Sequence, residues 1–178
     1  MNVITKQILK NSNESLRMEI LKMTVLKIMC GVPAAGKSTY IENHKQLTDF
    51  VVSRDIIRQK CSTPGIPYFS KENEVFSLLC ETINDTLIPP RYNTVWVDAT
   101  HLNHSSRNKL ISNIWATKFE KIVFVCIEAP LEVCLKRNAA RDSRTRVPES
   151  AIKSMYESYK RPTLNEFDYL NVEIEVIK

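Results

Sequence analysis

The sequence predicts an α/β fold: a mostly parallel sheet of about five strands flanked by helices, with a basic lid. Three observations lead there. Apolar runs alternate with helical patterns from Thr24 to the end of the chain, as in sheets whose crossovers are helical. A glycine-bounded segment, Gly31 to Gly36, separates the first apolar run from the first helical pattern. Residues 136–146 carry Lys136, Arg137, Arg141, Arg144 and Arg146 against a single acid, Asp142, and lack the apolar period of a core element.

Taken in order, Thr24–Cys30 is the first strand, and Lys37–His44 is the helix that follows the glycine-bounded loop. Phe50-Val51-Val52 predicts a short second strand that ends at Ser53-Arg54-Asp55, with a helix beginning near Ile56. Pro64, Gly65 and Pro67 make residues 61–69 a loop. Val75, Leu78, Leu79, Thr82, Ile83 and Thr86 recur at helical spacing until Pro89-Pro90 stops them. Thr94–Val97 is a strand ending in Asp98, and residues 105–117 are helical by the spacing of Arg107, Leu110, Ile111, Ile114 and Trp115. Ile122–Ile127 reads as a strand buried on both faces, and Pro130 suits the first turn of a helix over 130–138. A helix follows Pro148, with Ile152, Met155, Tyr156 and Tyr159 on one face, and Val172 to Val176 alternates like a half-exposed edge strand. Residues 1–22 fall outside this pattern and form an N-terminal extension, which leaves 23–178 as one domain.

Gly31-Val32-Pro33-Ala34-Ala35-Gly36-Lys37-Ser38 fits G-x-x-x-x-G-K-[ST], the phosphate loop of P-loop NTPase-type folds, in the strand–loop–helix context the motif requires. The small residues let backbone N–H groups of Pro33-to-Thr39 and the helix N-terminus converge on phosphate oxygens, with proline itself contributing only shape. The expected nucleotide site is therefore Gly31, Pro33, Ala34, Ala35, Gly36, Lys37, Ser38 and Thr39, joined by Arg141 from the basic segment. Lys37 would reach the β- and γ-phosphates of ATP, and Ser38 would ligate Mg²⁺. Asp98, closing an apolar strand, is a second candidate magnesium ligand or else a turn cap. Asp55 has two readings of equal standing on spacing, a proton acceptor at the carboxyl end of the sheet or a helix N-cap. Arg141 is a candidate for the charge that a lid inserts against a transferring phosphoryl group, the alternative being a solvated helix end. His101 and His104 lack a third ligand in sequence and receive no metal.

Composition narrows the function classes. At 178 residues, 43% hydrophobic and 25% charged, the chain matches a globular domain able to bury roughly two-thirds of its unfolded surface. No apolar stretch approaches the roughly 20 residues of a membrane span, and residues 1–20 lack a signal-peptide core, so the expectation is a cytoplasmic protein with no membrane partner. The five cysteines show no C-x-x-C pairing and read as reduced core thiols. A net charge of +5 biases the chain toward anionic partners without identifying one.

Four separated segments resemble the 5′-OH polynucleotide kinase domain of bacteriophage end-healing enzymes, within the small P-loop kinases that include the zeta-toxin kinases. They are Gly31–Thr39, then Ser53-Arg54-Asp55-Ile56-Ile57-Arg58-Gln59, then Val97-Asp98-Ala99-Thr100-His101-Leu102-Asn103, and Lys136-Arg137-Asn138-Ala139-Ala140-Arg141 leading to Val147-Pro148 and Ser154-Met155-Tyr156. The resemblance implies Asp55 as general base, Arg58 as the arginine that holds an acceptor phosphate, Asp98 among the active-site acids and Arg141 as the lid arginine on the transferring phosphate. It implies ATP and Mg²⁺ as cofactors and nucleic acid 5′-OH ends as acceptor. Arg144 and Arg146 are general lid candidates.

The resulting expectation is transfer of the γ-phosphoryl group of ATP to the 5′-hydroxyl of DNA or RNA. Two alternatives stand beside it: a P-loop kinase of a small molecule or nucleotide sugar, and an ATP-binding switch that phosphorylates nothing. Tyr68 and Phe69 either stack a terminal base or pack locally within their proline-rich loop.

Overall fold

The computed structural model describes residues 24–89 and 91–178, so the expected extension over 1–22 lies outside the described residues. Five strands, β1 (Val25–Cys30), β2 (Phe50–Ser53), β3 (Thr94–Asp98), β4 (Lys121–Ile127) and β5 (Val172–Ile177), form one sheet in the order β2-β3-β1-β4-β5. Every pairing is parallel. Six helices connect them: α1 (Lys37–His44), α2 (Arg54–Cys61), α3 (Glu72–Asp85), α4 (His104–Ile111), α5 (Leu131–Ala139) and α6 (Glu149–Ser158). This is a P-loop NTPase-like fold.

The period of two in each strand sorts side chains into two layers. Leu26, Ile28 and Cys30 of β1 join Ile122, Phe124 and Cys126 of β4 on one face, where Leu79 and Ile83 of α3 and Leu110 and Ile111 of α4 cover them. Met29, Val123, Val125 and Ile127 point the other way, against Ile41 of α1, Cys134 of α5 and Ile152 of α6. Interior strands with both faces covered explain the near-continuous apolar runs of β1 and β4. β5, at one edge, pairs with β4 and keeps Glu173 and Glu175 on the face shared with Val123 and Val125, where they meet Lys121 and Lys27. β1 lies between β3 and β4, the point at which chain order reverses, so the loop at its carboxyl end opens into the crevice where such sheets bind ligands.

Beyond shifts of a single residue at an element's end, three differences from the sequence reading stand out. β2 stops at Ser53, and α2 begins at Arg54, because the Ser53 hydroxyl accepts from the Ile56 amide and caps the helix itself. The helix predicted over 105–117 ends at Ile111. The Asn84 side chain takes the Trp115 amide at 2.8 Å, and a short 3₁₀ turn, Ala116–Lys118, replaces the last turns. The basic segment is split, its first residues completing α5 and residues 140–148 forming the loop into α6.

Candidate active site

A cavity of about 960 Å³ lies above the carboxyl ends of β1, β2 and β3. The Gly31–Gly36 loop and the first turn of α1 form one wall, α2 and the start of α3 a second, and residues from α5, the 140–148 loop and α6 a third.

The loop's shape depends on its glycines. Gly31 has φ +144°, and a Cβ there would stand 2.5 Å from the Ile127 carbonyl oxygen, so no side chain is tolerated. Gly36, at φ +116°, opens α1 without a side-chain cap, leaving the amino end of the helix to a ligand. Ala34 also has a positive φ, 62°, a conformation that costs an L-residue roughly 1–2 kcal/mol. The Gly31 amide donates to the Thr100 carbonyl at 2.9 Å, tying the loop to the turn after β3. Below that turn, His101 is buried, its Nδ1 bonds the Met29 carbonyl at 2.9 Å, and burial pushes its pKa down to about 4, so the ring is neutral with the proton on Nδ1.

Lys37 folds back on this loop. Its ammonium donates to the carbonyls of Gly31 at 3.0 Å and Val32 at 2.8 Å, and burial lowers its pKa to about 8 despite the nearby Asp98 and Asp55. Ser38 Oγ donates to Asp98 Oδ2 at 2.6 Å. Burial raises the Asp98 pKa, partly opposed by that hydrogen bond and by Lys37. Among the described residues no cluster of three or more His, Cys, Asp or Glu could hold a metal. Two protein oxygens on neighbouring elements do fit Mg²⁺, which usually takes one or two protein oxygens and completes its shell with phosphates and water. Ser38 and Asp98 would hold it.

The opposite wall is an ion-pair network. Arg58 is buried and bonds Glu72 through Nε at 2.6 Å and Nη2 at 3.1 Å, while its Nη1 bonds Asp55. Arg54 Nη2 takes Glu72 at 2.8 Å. These contacts offset burial and hold the Glu72 carboxyl below its ordinary range. Asp55 is consequently oriented from behind by Arg58 and remains open to the cavity, its side chain 63% exposed. It is not the cap of α2, a role taken by Ser53.

The third wall brings positive charge. Arg141 Nη2 lies 4.0 Å from Asp55 Oδ2, so the 140–148 loop reaches across to α2. Arg137 donates to the Ala35 carbonyl at 2.9 Å, and Arg144 donates to Ser62 Oγ at 3.1 Å. Arg146 turns back to the Arg141 carbonyl. At the base of the loop, the buried Asn138 donates to the Val147 carbonyl at 2.8 Å and accepts from the Val147 amide at 3.1 Å.

Lys37, Ser38, Asp55, Arg58, Asp98 and Arg141 thus line one space or back its wall. Sequence reasoning missed Glu72, Arg54 and Arg137. Glu72 lies 14 residues from its partner Arg58 across a loop, and no local spacing marks it. Arg137 did carry a signal, being one of the basic residues of the 136–146 segment read as a lid.

A family model described as an AAA domain matches residues 26–162. L-seryl-tRNA(Sec) kinase of Methanococcus maripaludis is 29% identical over 147 residues, 78% of this chain and 53% of that protein. The chain therefore spans about half of that relative's length. Among solved structures, a chain of the Pnkp1/Rnl/Hen1 RNA repair complex superposes with a TM-score of 0.61 at 22% identity, over 76% of this chain and 44% of that one. A sugar kinase from Janibacter gives 0.57 at 16% identity, over 86% and 85%. At these identities the two structures show a shared fold.

Proposed function

We propose a function that starts from family membership: the chain belongs to the AAA domain family whose model spans residues 26–162, and within it we read this chain as an ATP-dependent phosphotransferase acting on the 5′-hydroxyl end of DNA or RNA. One observation carries the reading. A single cavity has a phosphate loop on one wall and, on the facing wall, an open carboxylate held by a guanidinium. Phosphoryl transfer needs charge stabilisation at the donor and a proton acceptor at the hydroxyl, in one dry space. The name of the Methanococcus relative, an L-seryl-tRNA(Sec) kinase, joins phosphorylation to a seryl group carried on tRNA, which supports an acceptor borne on RNA without singling out its 5′ end.

In this mechanism the loop amides and Lys37 hold the β- and γ-phosphates of ATP. The ammonium exchanges the Gly31 and Val32 carbonyls for phosphate oxygens, whose negative charge favours its protonated form against the opposing effect of burial. Magnesium, when held by Ser38 and Asp98, would neutralise charge on those phosphates. Asp55 accepts the proton of the acceptor hydroxyl as its oxygen bonds the γ-phosphorus and the bond to the β-bridging oxygen breaks, releasing ADP. Arg141 meets the charge that spreads over the transferring oxygens. Arg58 fixes Asp55 and offers its charge to an acceptor phosphate.

A second reading draws on the same Arg58. Its guanidinium is bonded to both Asp55 and Glu72, so an acceptor phosphate must compete with two carboxylates, a cost that a phosphate-free small molecule avoids. Incubation with γ-labelled ATP and a panel of 5′-OH DNA and RNA oligonucleotides, nucleosides and sugars separates the two. Label on the oligonucleotides is the expected outcome. Label on sugars alone selects the small-molecule reading, and nucleotide binding without any labelled product selects the non-catalytic switch.

A further inference from the structure

We propose that Tyr68 and Phe69 form a stacking platform for the nucleobase of the acceptor's terminal nucleotide, and that this platform sets acceptor specificity. The inference rests on the polynucleotide reading. Both residues sit in the 62–71 loop between α2 and α3 and line the same cavity as Asp55. Their rings meet edge to face, centroids 5.0 Å apart at 83°, and the Tyr68 hydroxyl donates to the Asp55 main-chain carbonyl at 3.4 Å. The pair is therefore fixed to the turn that presents the proposed base. Phe69 nevertheless stays 42% exposed. Local packing accounts for Tyr68 but leaves a large apolar ring uncovered at the edge of a charged cavity.

The surroundings state what would cover it. The Arg58 guanidinium carbon lies 5.5 Å from the Tyr68 ring centroid and 5.0 Å from that of Phe69, and Arg144 reaches over Tyr68 at 5.9 Å from the lid side. An apolar π-surface flanked by two cations matches a ligand that is itself a π-face joined to a phosphate, the chemistry of a nucleotide end. It suits a sugar poorly. Sugar hydroxyls are gripped best by free carboxylates, and Glu72 already accepts three hydrogen bonds from Arg54 and Arg58, leaving Asp55 as the open carboxylate of this wall among the described residues.

The test compares two 5′-OH oligonucleotides that differ only at the terminal nucleotide, one carrying adenine and one abasic, with γ-labelled ATP and wild-type, Phe69→Ala and Phe69→Trp proteins. Wild type should favour the base-bearing acceptor in kcat/KM by about 5- to 150-fold, the range that stacking one base on an aromatic side chain gives. Phe69→Ala should bring that ratio close to one, and Phe69→Trp should keep it. Titration with ATP alone shows that each variant is folded. Label on both oligonucleotides with equal efficiency in wild type, or a ratio untouched by Phe69→Ala, overturns the platform and leaves the kinase reading standing. Label on neither oligonucleotide overturns the platform and the polynucleotide reading together.

Discussion

Ser38 Oγ lies 2.6 Å from Asp98 Oδ2, although the two residues are 60 positions apart in sequence. The contact joins the first turn of α1 to the carboxyl end of β3 and places a hydroxyl and a carboxylate where the nucleotide phosphates would sit. Asp98→Asn keeps a hydrogen-bond partner for Ser38 and removes the charge. The magnesium concentration for half-maximal activity should rise at least about tenfold, the effect of losing one anionic partner worth ~1.4 kcal/mol or more. A magnesium titration of initial rate checks this, and an unchanged midpoint would remove Asp98 from the metal site.

Lys37 gives a pH signature. Its folded pKa, about 8 through burial, lies below the ordinary 10.5, and the proposed binding of phosphate should raise it again. ATP affinity should be flat below pH 8 and fall by up to about tenfold per unit above it, with proton uptake on binding near pH 8.5. Calorimetry in buffers of different ionisation enthalpy measures that uptake. The sign for stability is opposite: between pH 8 and 10.5 the unfolded chain binds the proton more tightly than the folded one, so Lys37 makes the fold more stable as pH rises. Lys37→Ala should abolish transfer and both pH effects.

Asp55→Asn should retain ATP binding while transfer falls by about 10²–10⁴, the usual contribution of a positioned base. Retention of near wild-type kcat would assign Asp55 to structure.

Arg58 is expected to affect more than acceptor affinity. Because it orients Asp55 and neutralises the half-buried Glu72, Arg58→Ala should lower kcat as well as raise the acceptor KM, and should lower Tm by several degrees. A pure KM effect with unchanged Tm would mean that Arg58 serves only the acceptor phosphate. Arg141→Ala, by contrast, should lower kcat more than it weakens ATP binding, since its charge is needed as the phosphoryl group moves.

Gly31→Ala forces a methyl group to within 2.5 Å of the Ile127 carbonyl oxygen, in a backbone region that alanine rarely adopts. ATP binding measured by calorimetry should be lost or reduced by orders of magnitude. The control is Ala34→Gly, which removes a left-handed alanine at the cost of glycine's greater freedom in the unfolded chain; the two effects, roughly 1–2 and 0.5–1 kcal/mol, predict Tm unchanged or slightly raised.

The donor half of the site was legible because its residues are neighbours in sequence: a strand, two glycines five apart and a helix specify where Lys37 and Ser38 must go. Asp55 was placed on the correct edge of the sheet, but its competing role as a cap could be removed only by seeing Ser53 accept the Ile56 amide. Glu72 was invisible. Its partnership with Arg54 and Arg58 depends on how the 62–71 loop returns α3 to α2, a tertiary event that leaves no periodic trace. The early end of α4 was hidden for a similar reason, since Asn84, on another helix, captures the Trp115 amide.

The paired hydrogen bonds between Asn138 and Val147 turn the lid into a closed ring of chain, with Arg141, Arg144 and Arg146 on its circumference. Ring closure removes conformational entropy, and here it is removed at folding and not again in each turnover. The arginines are then confined to a small volume tethered at both ends, and bringing Arg141 over the proposed nucleotide would need only a local rearrangement, on the nanosecond-to-microsecond scale of loop motion. Amide exchange would display the ring directly: Val147 slow, with the Asp142, Ser143 and Arg146 amides between the tethered ends faster.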